Sequence, residues 1–256
     1  MPTPWKDAIA DAAHRLRSVP PEQVAIIASG RMTNEELFLT RTLAAEIGTH
    51  LISLVPRSAE ADTLLVAADR NPNTTGAKLI LNTETPFSQL NFIRDSARNG
   101  SIKALVVIGE DLVTDAGFTV DDLKQLAFLL QTSVLANPTA EVAHIVLPSA
   151  AFAEKRGSMV NLSGRLQRLN RAVELPGQAR DDWEILRDLI LALAGGSNET
   201  HHIEDVFKAL AGEVSEFSGL TLSKIGHLGT PIIDTGYQIP LLENERARKA
   251  AGLING

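Results

Sequence analysis

Cysteine is absent from the 256 residues. That excludes disulfides, thiolate-held iron–sulfur clusters and cysteine nucleophiles from this chain. Aromatic residues are scarce at 4%, with a single Tyr and two Trp, so the core must be mainly Ala, Leu, Ile and Val. Hydrophobic residues reach 44%, enough to fill one. No apolar run attains the roughly eighteen residues of a membrane-spanning helix. The stretch from Met1 to Val19 lacks the basic start and apolar run of a secretory signal. A cytoplasmic location is expected, with any attachment to the inner membrane peripheral and through partners. Lys and Arg total 24 against 31 Asp and Glu, a net charge of -7, and the two signs are interleaved. No basic footprint marks a nucleic-acid partner. The six histidines form no metal motif: His14, His50, His144 and His227 are scattered, and His201-His202 stand side by side. A Gly-x-Ser-x-Gly elbow, a Gly-x-Gly-x-x-Gly loop and a Walker loop are all missing. No catalytic residue and no metal ligand is assigned.

What is present is an alternation of strand and helix signals. Ala8, Ile9, Ala12, Leu16 and Val19 recur at near-helical spacing, and Pro20-Pro21 end that helix. Val24–Ser29 is an apolar run of strand length, and Gly30 turns the chain. Thr33-Asn34-Glu35-Glu36 reads as a capping box that starts a helix, which Gly48 stops. Thr63–Ala67 reads as the next strand, Asp69–Gly76 as a turn cluster, and Phe87–Ala97 as a helix ended by Asn99-Gly100. Ile102–Ile108 is the best strand signal, followed by the turn Gly109-Glu110-Asp111. Val120–Leu130 reads as helical, and Thr132–Ala136 and His144–Leu147 as strands. The pattern predicts an α/β fold: a Rossmann-like, mostly parallel sheet with helices on both faces.

After Pro148 the pattern changes. Ser158–Asn170 alternates as a hairpin around Ser163-Gly164, and Asp181–Leu193 reads as a helix closed by Gly195-Gly196. Ser197–His202 reads as a linker and Ile203–Val214 as a helix. The tail from Ser218 is expected to wrap over a partner or the parent domain. The division expected is an N-terminal helix over 1–20, an α/β domain over 21–196, and a helix plus extended tail over 197–256.

Two segments could carry chemistry. The helix start at Gly30–Glu36 could hold an anion, although Glu35 and Glu36 compete for the same positive helix end and a plain capped helix explains it as well. The stretch Glu154–Gln167 is the most distinctive; Arg165 and Arg168 could clamp a phosphate or carboxylate, or the polar groups could tie loops together. Asp181, Asp182 and Glu184 suit the dipole of a helix start.

In order, these segments resemble the molybdopterin oxidoreductase superfamily. Ala28–Gly48 resembles its strand followed by a Thr-Asn-Glu-Glu helix. Thr139–Pro148 resembles its Thr-Ala-x-x-Ala-Asp-Val-Val-Leu-Pro, with His144 in place of Asp. Glu154, Gly157, Asn161, Gly164, Arg165 and Gln167 match its Glu-x-x-Gly-Thr-x-x-Asn-x-Glu-Gly-Arg-x-Gln, with Ser158 for Thr and Ser163 for Glu. Pro176–Leu186 resembles its Pro-x-Gly-x-Ala-x-x-Asp-Trp-x-Ile. Asp69–Ala77 and Ile102–Leu112 are similar to segments of the large subunit of NADH-quinone oxidoreductase, complex I. The resemblance spans about residues 20 to 195.

The resemblance implies a non-catalytic part of that large subunit, scaffolding the electron-transfer arm, with no cofactor bound by this chain alone. The alternative it implies is one half of a split, formate-dehydrogenase-like molybdopterin enzyme that shares the pterin with a partner subunit. A decayed fragment is the third reading. A vestigial pterin site is implied at Gly109, Glu110, Asp111, Glu154, Gly157, Asn161, Arg165 and Gln167. The partners implied are the other subunits of such a complex, including an iron–sulfur subunit.

Overall fold

The computed structural model describes residues 3–62, 64–196 and 200–251. The chain opens with α1 (Trp5–Arg17), β1 (Val24–Ala28), α2 (Asn34–Ile47) and β2 (Ile52–Leu54). Next come α3 (Thr74–Leu81), α4 (Leu90–Arg98), β3 (Ala104–Ile108), the short α5 (Leu112–Asp115) and α6 (Val120–Lys124), β4 (Phe128–Ser133), α7 (Pro138–Val142) and β5 (Ile145–Pro148). The hairpin strands β6 (Gly157–Val160) and β7 (Arg165–Leu169), α8 (Asp182–Ala194), α9 (Ile203–Glu213), the two-residue β8 (Thr230–Pro231) and α10 (Pro240–Ala250) complete it.

The five strands β1 to β5 form one parallel sheet in the order β2-β1-β3-β4-β5. Every residue of β1 and β3 is buried, as strands covered on both faces require. Alternate residues feed opposite cores. Ile26, Val106 and Leu130 face Leu37, Leu43, Ile185 and Phe207. Ile27, Val107 and Leu129 face Ile93, Leu112 and Leu123. The expected α/β sheet with helices on both faces is what forms. Leu16 of α1 and Leu210 of α9 lie in the same core as α2 and α8.

Local chemistry sets the boundaries. The Thr33–Glu36 capping box is present, Glu36 Oε2 accepting from the Thr33 N–H at 2.8 Å and Thr33 Oγ1 from the Glu36 N–H at 3.3 Å. Gly48 ends α2 with φ at 85°, a left-handed cap that favours glycine. The hairpin forms with Ser158 opposite Arg168. The tail after Ser218 returns to its own domain: β8 pairs with β7, and the N–H groups of Ile232 and Ile233 donate to the Gly164 carbonyl. A Cβ on Gly164 would collide with the Ile233 carbonyl, so only glycine permits this approach.

Several boundaries differ from the sequence reading. The segment expected as a strand at Thr63–Ala67 is a loop; Thr63 lies outside the described residues, and Leu64, Leu65 and Val66 are exposed. Asp62 Oδ1 accepts their three N–H groups at 2.7 to 2.8 Å, which supplies locally the hydrogen bonds a ladder would otherwise provide. The second strand is β2 instead, at three residues too short to show a period. The helix expected over Val120–Leu130 stops at Lys124, because Phe128–Leu130 opens β4; a continuous apolar run reads alike as buried helix or buried strand. Past Ser133, Val134 and Leu135 are exposed rather than part of a strand. Thr74–Gly76, expected in a turn, begins α3, and the charged stretch Glu243–Lys249 is helical within α10. Of the expected linker, 197–199 lies outside the described residues.

Candidate functional site

The strand order reverses between β1 and β3, because the chain builds β2 on one side of β1 and the other strands on the opposite side. Loops diverge at such a point and leave a crevice at the carboxyl ends of the strands. A cavity of about 350 Å³ opens at this end of the sheet. Ser29 and Arg31 after β1, Gly109 to Asp111 after β3, and Ser149 to Phe152 after β5 line it, and Lys155 and Asp182 complete it.

Three sequence-predicted residues meet here, and the protein itself engages all three. The Gly109 carbonyl accepts from Arg31 Nη2 at 2.9 Å. Glu110 has a fully buried carboxylate gripped by both terminal nitrogens of Arg57, one at 2.7 Å, with Arg31 at 3.5 Å. Asp111 caps α5, accepting from the Val113 N–H at 3.2 Å, from Thr139 Oγ1 at 2.7 Å and from Thr114 Oγ1. Burial works to raise the Asp111 pKa, but these hydrogen bonds outweigh it and hold the carboxyl below its ordinary value.

The other predicted residues do not join that cluster. Glu154 Oε2 closes a turn by accepting from the Ala151 N–H at 2.8 Å. Gly157 has φ at 153°, and a Cβ there would lie 2.7 Å from Glu35 Oε2. Asn161 Oδ1 accepts from the N–H groups of Ser163 and Arg165 at 3.1 and 3.0 Å, and its Nδ2 donates to Gln167 Oε1 at 3.2 Å. Asn161 and Gln167 line a separate cavity beside the hairpin. Arg165 Nη1 donates to the carbonyls of Leu228 and Gly229, both at 3.1 Å, and so pins the tail to β7. Loss of these two charge-assisted bonds in Arg165→Ala is expected to cost about 2 kcal/mol and to expose residues 226–237 to protease. Unchanged melting and an unchanged cleavage pattern would contradict this.

Sequence reasoning missed a buried ionic cluster beneath the cavity. Lys155 Nζ lies 2.9 and 3.2 Å from the two Glu36 oxygens and 3.1 Å from Asp182 Oδ2. Asp182 Oδ1 accepts from Thr132 Oγ1 at 2.8 Å. Burial works to lower the Lys155 pKa, yet the Glu36 and Asp182 carboxylates outweigh it and hold it above its ordinary value. Burial raises the pKa of Glu36, with Lys155 offsetting part of that. Next to it, burial pushes Glu35 up to about 7, despite hydrogen bonds from the Ser158 N–H at 2.9 Å and Ser158 Oγ at 2.8 Å. The start of α2 is thus filled by its own glutamates and Lys155, and the anion site considered there is closed. Only the capping-box Glu36 and the charged Lys155-Arg156 step signalled the cluster, since its partners lie 119 and 27 residues apart.

The cavity at the strand ends retains unused polar capacity. Ser149 Oγ is buried and has no hydrogen-bond partner among the described residues, and Arg31 is half exposed at the mouth. A hydroxyl, a guanidinium and the remaining lone pairs of Asp182 suit the polar edge of an organic heterocycle. The volume lies at the lower end of ligand sites, about 300–1,000 Å³, so it fits one portion of a large cofactor. For a metal, no group of three His, Cys, Asp or Glu is assembled among the described residues. No helix among the described residues is long and apolar enough to cross a membrane.

The chain is similar to the F420-dependent formate dehydrogenase subunit alpha of Methanocaldococcus jannaschii, 31% identical over 166 residues, covering 62% of this chain and 24% of that protein. It is 37% identical over 110 residues to the NADPH-Fe(3+) oxidoreductase subunit alpha of Geobacter sulfurreducens, covering 41% of this chain and 13% of that protein. It is 27% identical over 143 residues to the assimilatory nitrate reductase catalytic subunit of Bacillus subtilis, covering 53% of this chain and 20% of that one. The chain therefore spans about a quarter, or less, of the length of these relatives. Residues 67–192 match the family described as molybdopterin oxidoreductase.

Proposed function

We propose that this chain supplies one part of the cofactor site of a multi-subunit molybdopterin-dependent oxidoreductase of the formate dehydrogenase type, with other polypeptide supplying the rest. The observation that carries the reading is the cavity at the strand ends, lined mostly by residues inside the span of the family match, with a Ser149 hydroxyl that has no partner among the described residues. A bound molybdopterin would supply the metal-centred redox chemistry. The chain's own residues would hold and shield it. Ser149 would donate to or accept from a heterocycle edge, Asp182 would accept from a ring N–H, and Arg31 would leave the Gly109 carbonyl to face an anionic group. Val134, Leu135 and Phe152, exposed at the rim, would become covered and keep water out. With no cysteine in the chain, clusters that carry electrons would belong to an iron–sulfur partner subunit. Its place would be the cytoplasm, peripheral to the inner membrane where partners are anchored.

A second reading is the non-catalytic scaffold in a complex I large subunit. The full engagement of Glu110 by Arg57 and of Asp111 by Thr139 favours it, since residues consumed by the protein brace loops rather than bind a ligand. The formate, NADPH and nitrate enzymes among the relatives favour the first. Purification of the tagged chain with its native partners decides between them. Molybdenum or tungsten together with a fluorescent pterin oxidation product is the expected result. A complex of NADH dehydrogenase subunits that yields neither would contradict the first reading and support the second.

A further inference from the structure

The hairpin sits on α2 and α3 through a polar seam as much as through apolar packing. From β6 and β7, Val160 and Leu166 are the side chains buried in the core shared with α2 and α8. The rest of the seat is hydrogen-bonded. The Ser158 N–H and Oγ donate to the two Glu35 oxygens, and Asn34 Nδ2 donates to Ser158 Oγ at 3.0 Å. The Val160 N–H donates to Asn73 Oδ1 at 2.8 Å, and Asn73 Nδ2 donates to Asn34 Oδ1 at 3.0 Å. This seam holds a surplus of acid. Glu35, Glu36 and Asp182 are each at most 3% exposed, and Lys155 is their one cation contact among the described residues. Lys155 is shared by Glu36 and Asp182 and makes no ion pair with Glu35. Cations on the neighbouring elements are engaged elsewhere: Arg41 of α2 with Glu213 of α9, Lys78 of α3 with Glu84, and Arg156, just before β6, with Glu204 of α9. On α8, Arg187 pairs with Asp188, and Arg180 ahead of it meets Glu184 and Asp188. Arg165 holds the tail, Asp205 of α9 accepts from the His201 and His202 N–H groups, and Arg168 and Lys208 are exposed. A buried carboxyl without a counter-ion keeps its proton in preference to its charge.

We propose that Glu35 is a proton-operated latch for the hairpin: with its proton in place β6 stays seated on α2 and α3, and loss of that proton to water lets β6 lift from the seam. Water reaches an ionised Glu35 only where an element parts from it. Leu37, Phe38 and Leu43 anchor α2 in the core, whereas β6 brings Val160 alone, so β6 is the side that moves. An element with few buried apolar contacts opens at lower cost than the sheet beneath it. The tail goes with the hairpin, because β8 pairs with β7. The motion also reaches the cavity at the strand ends. Lys155 stands three residues before Ser158, lines that cavity and binds Asp182 there, so release of β6 loosens the cavity floor. The latch does not depend on what fills that cavity.

The amides of Ser158 and Val160 report the seam directly, since their hydrogens are donated to Glu35 and Asn73. Their exchange with deuterated water is followed by NMR on the full chain between pH 5 and pH 8, each rate divided by the intrinsic rate at that pH. In the wild type the protection of both amides is expected to fall on the order of 50-fold over this range, the ratio set by a carboxyl that titrates near 7 when seated and at 4.5 when released. Protection in β1 and β3 is expected to stay constant, and in Glu35→Gln all four segments are expected to be flat with pH. Constant protection of Ser158 and Val160 in the wild type overturns the proposal. So does a parallel fall in β1 and β3, which would mean that the whole fold opens and not the hairpin. An equal fall in Glu35→Gln would assign the titration to another group and overturns it as well. The wild-type contrast between the hairpin and the central strands decides the matter even if Glu35→Gln does not fold.

Discussion

Replacing Lys155 by alanine is expected to lower stability by about 3–5 kcal/mol, more than any other single truncation of a charged residue in this chain. For a domain of this size that is a fall in melting temperature on the order of 10 °C. Little of that cost is the value of the ion pairs themselves. A buried pair recovers in attraction about what it loses in desolvation, so the intact cluster is close to neutral against an apolar packing. Removing the ammonium leaves the Glu36 and Asp182 carboxylates buried together with no cation between them. Each must take up a proton or draw in water. The cluster joins the start of α2, the segment before β6 and the start of α8, so its loss should also loosen the floor of the cavity at the strand ends. Adding Glu36→Gln and Asp182→Asn to Lys155→Met removes the orphaned charges and should recover part of the loss. Thermal melts of the single and triple variants check this; a Lys155→Ala protein that melts within a degree or two of wild type would contradict it.

Glu35 yields the second large effect, and it depends on pH. Its carboxyl titrates at about 7 in the folded chain against an ordinary value of 4.5. Below pH 4.5 both states are protonated and the group costs nothing. Between 4.5 and 7 the unfolded chain ionises while the folded one stays protonated, so the folded state binds more protons and its stability falls as pH rises. Above 7 the penalty is complete, on the order of 3 kcal/mol. Glu35→Gln removes the titration and keeps an oxygen for the Ser158 N–H. The stability of the variant relative to wild type should therefore rise between pH 5 and pH 8 and then level off. Urea unfolding of both proteins across that range measures it. A difference that stays flat with pH would show that Glu35 ionises normally and that its surroundings are wetter than the structure indicates.

How much of this was legible in the sequence follows from which interactions are local. The capping box of α2, the Gly48 stop, the Ile102–Ile108 strand and the hairpin around Gly164 depend on neighbours a few residues apart, and each forms where expected. β2 was hidden because three residues carry no period, and the start of β4 because Phe128–Leu130 is apolar on both faces. Leu64 and Leu65 misled for the opposite reason: a strand-like composition whose backbone is satisfied by one Asp62 side chain. At the site, Gly109 to Asp111 are singled out by the family resemblance, and as a turn after a central strand they lie at the sheet's carboxyl edge. That Glu110 is consumed by Arg57 could not be, since 53 residues separate them. The same distance problem concealed Lys155, Glu36 and Asp182. Asn161 and Arg165 stood out by type and spacing, yet their geometry shows them holding the hairpin and the tail.

Pterin stoichiometry in the assembled complex tests most directly the proposal that the cavity at the strand ends seats part of a pterin cofactor. Wild-type chain purified with its partners should release a fixed molar amount of pterin on oxidation, and Ser149→Leu, which fills the cavity from its buried edge, should assemble with the same partners but retain little. Equal pterin in the two complexes, or none in the wild type, would contradict it.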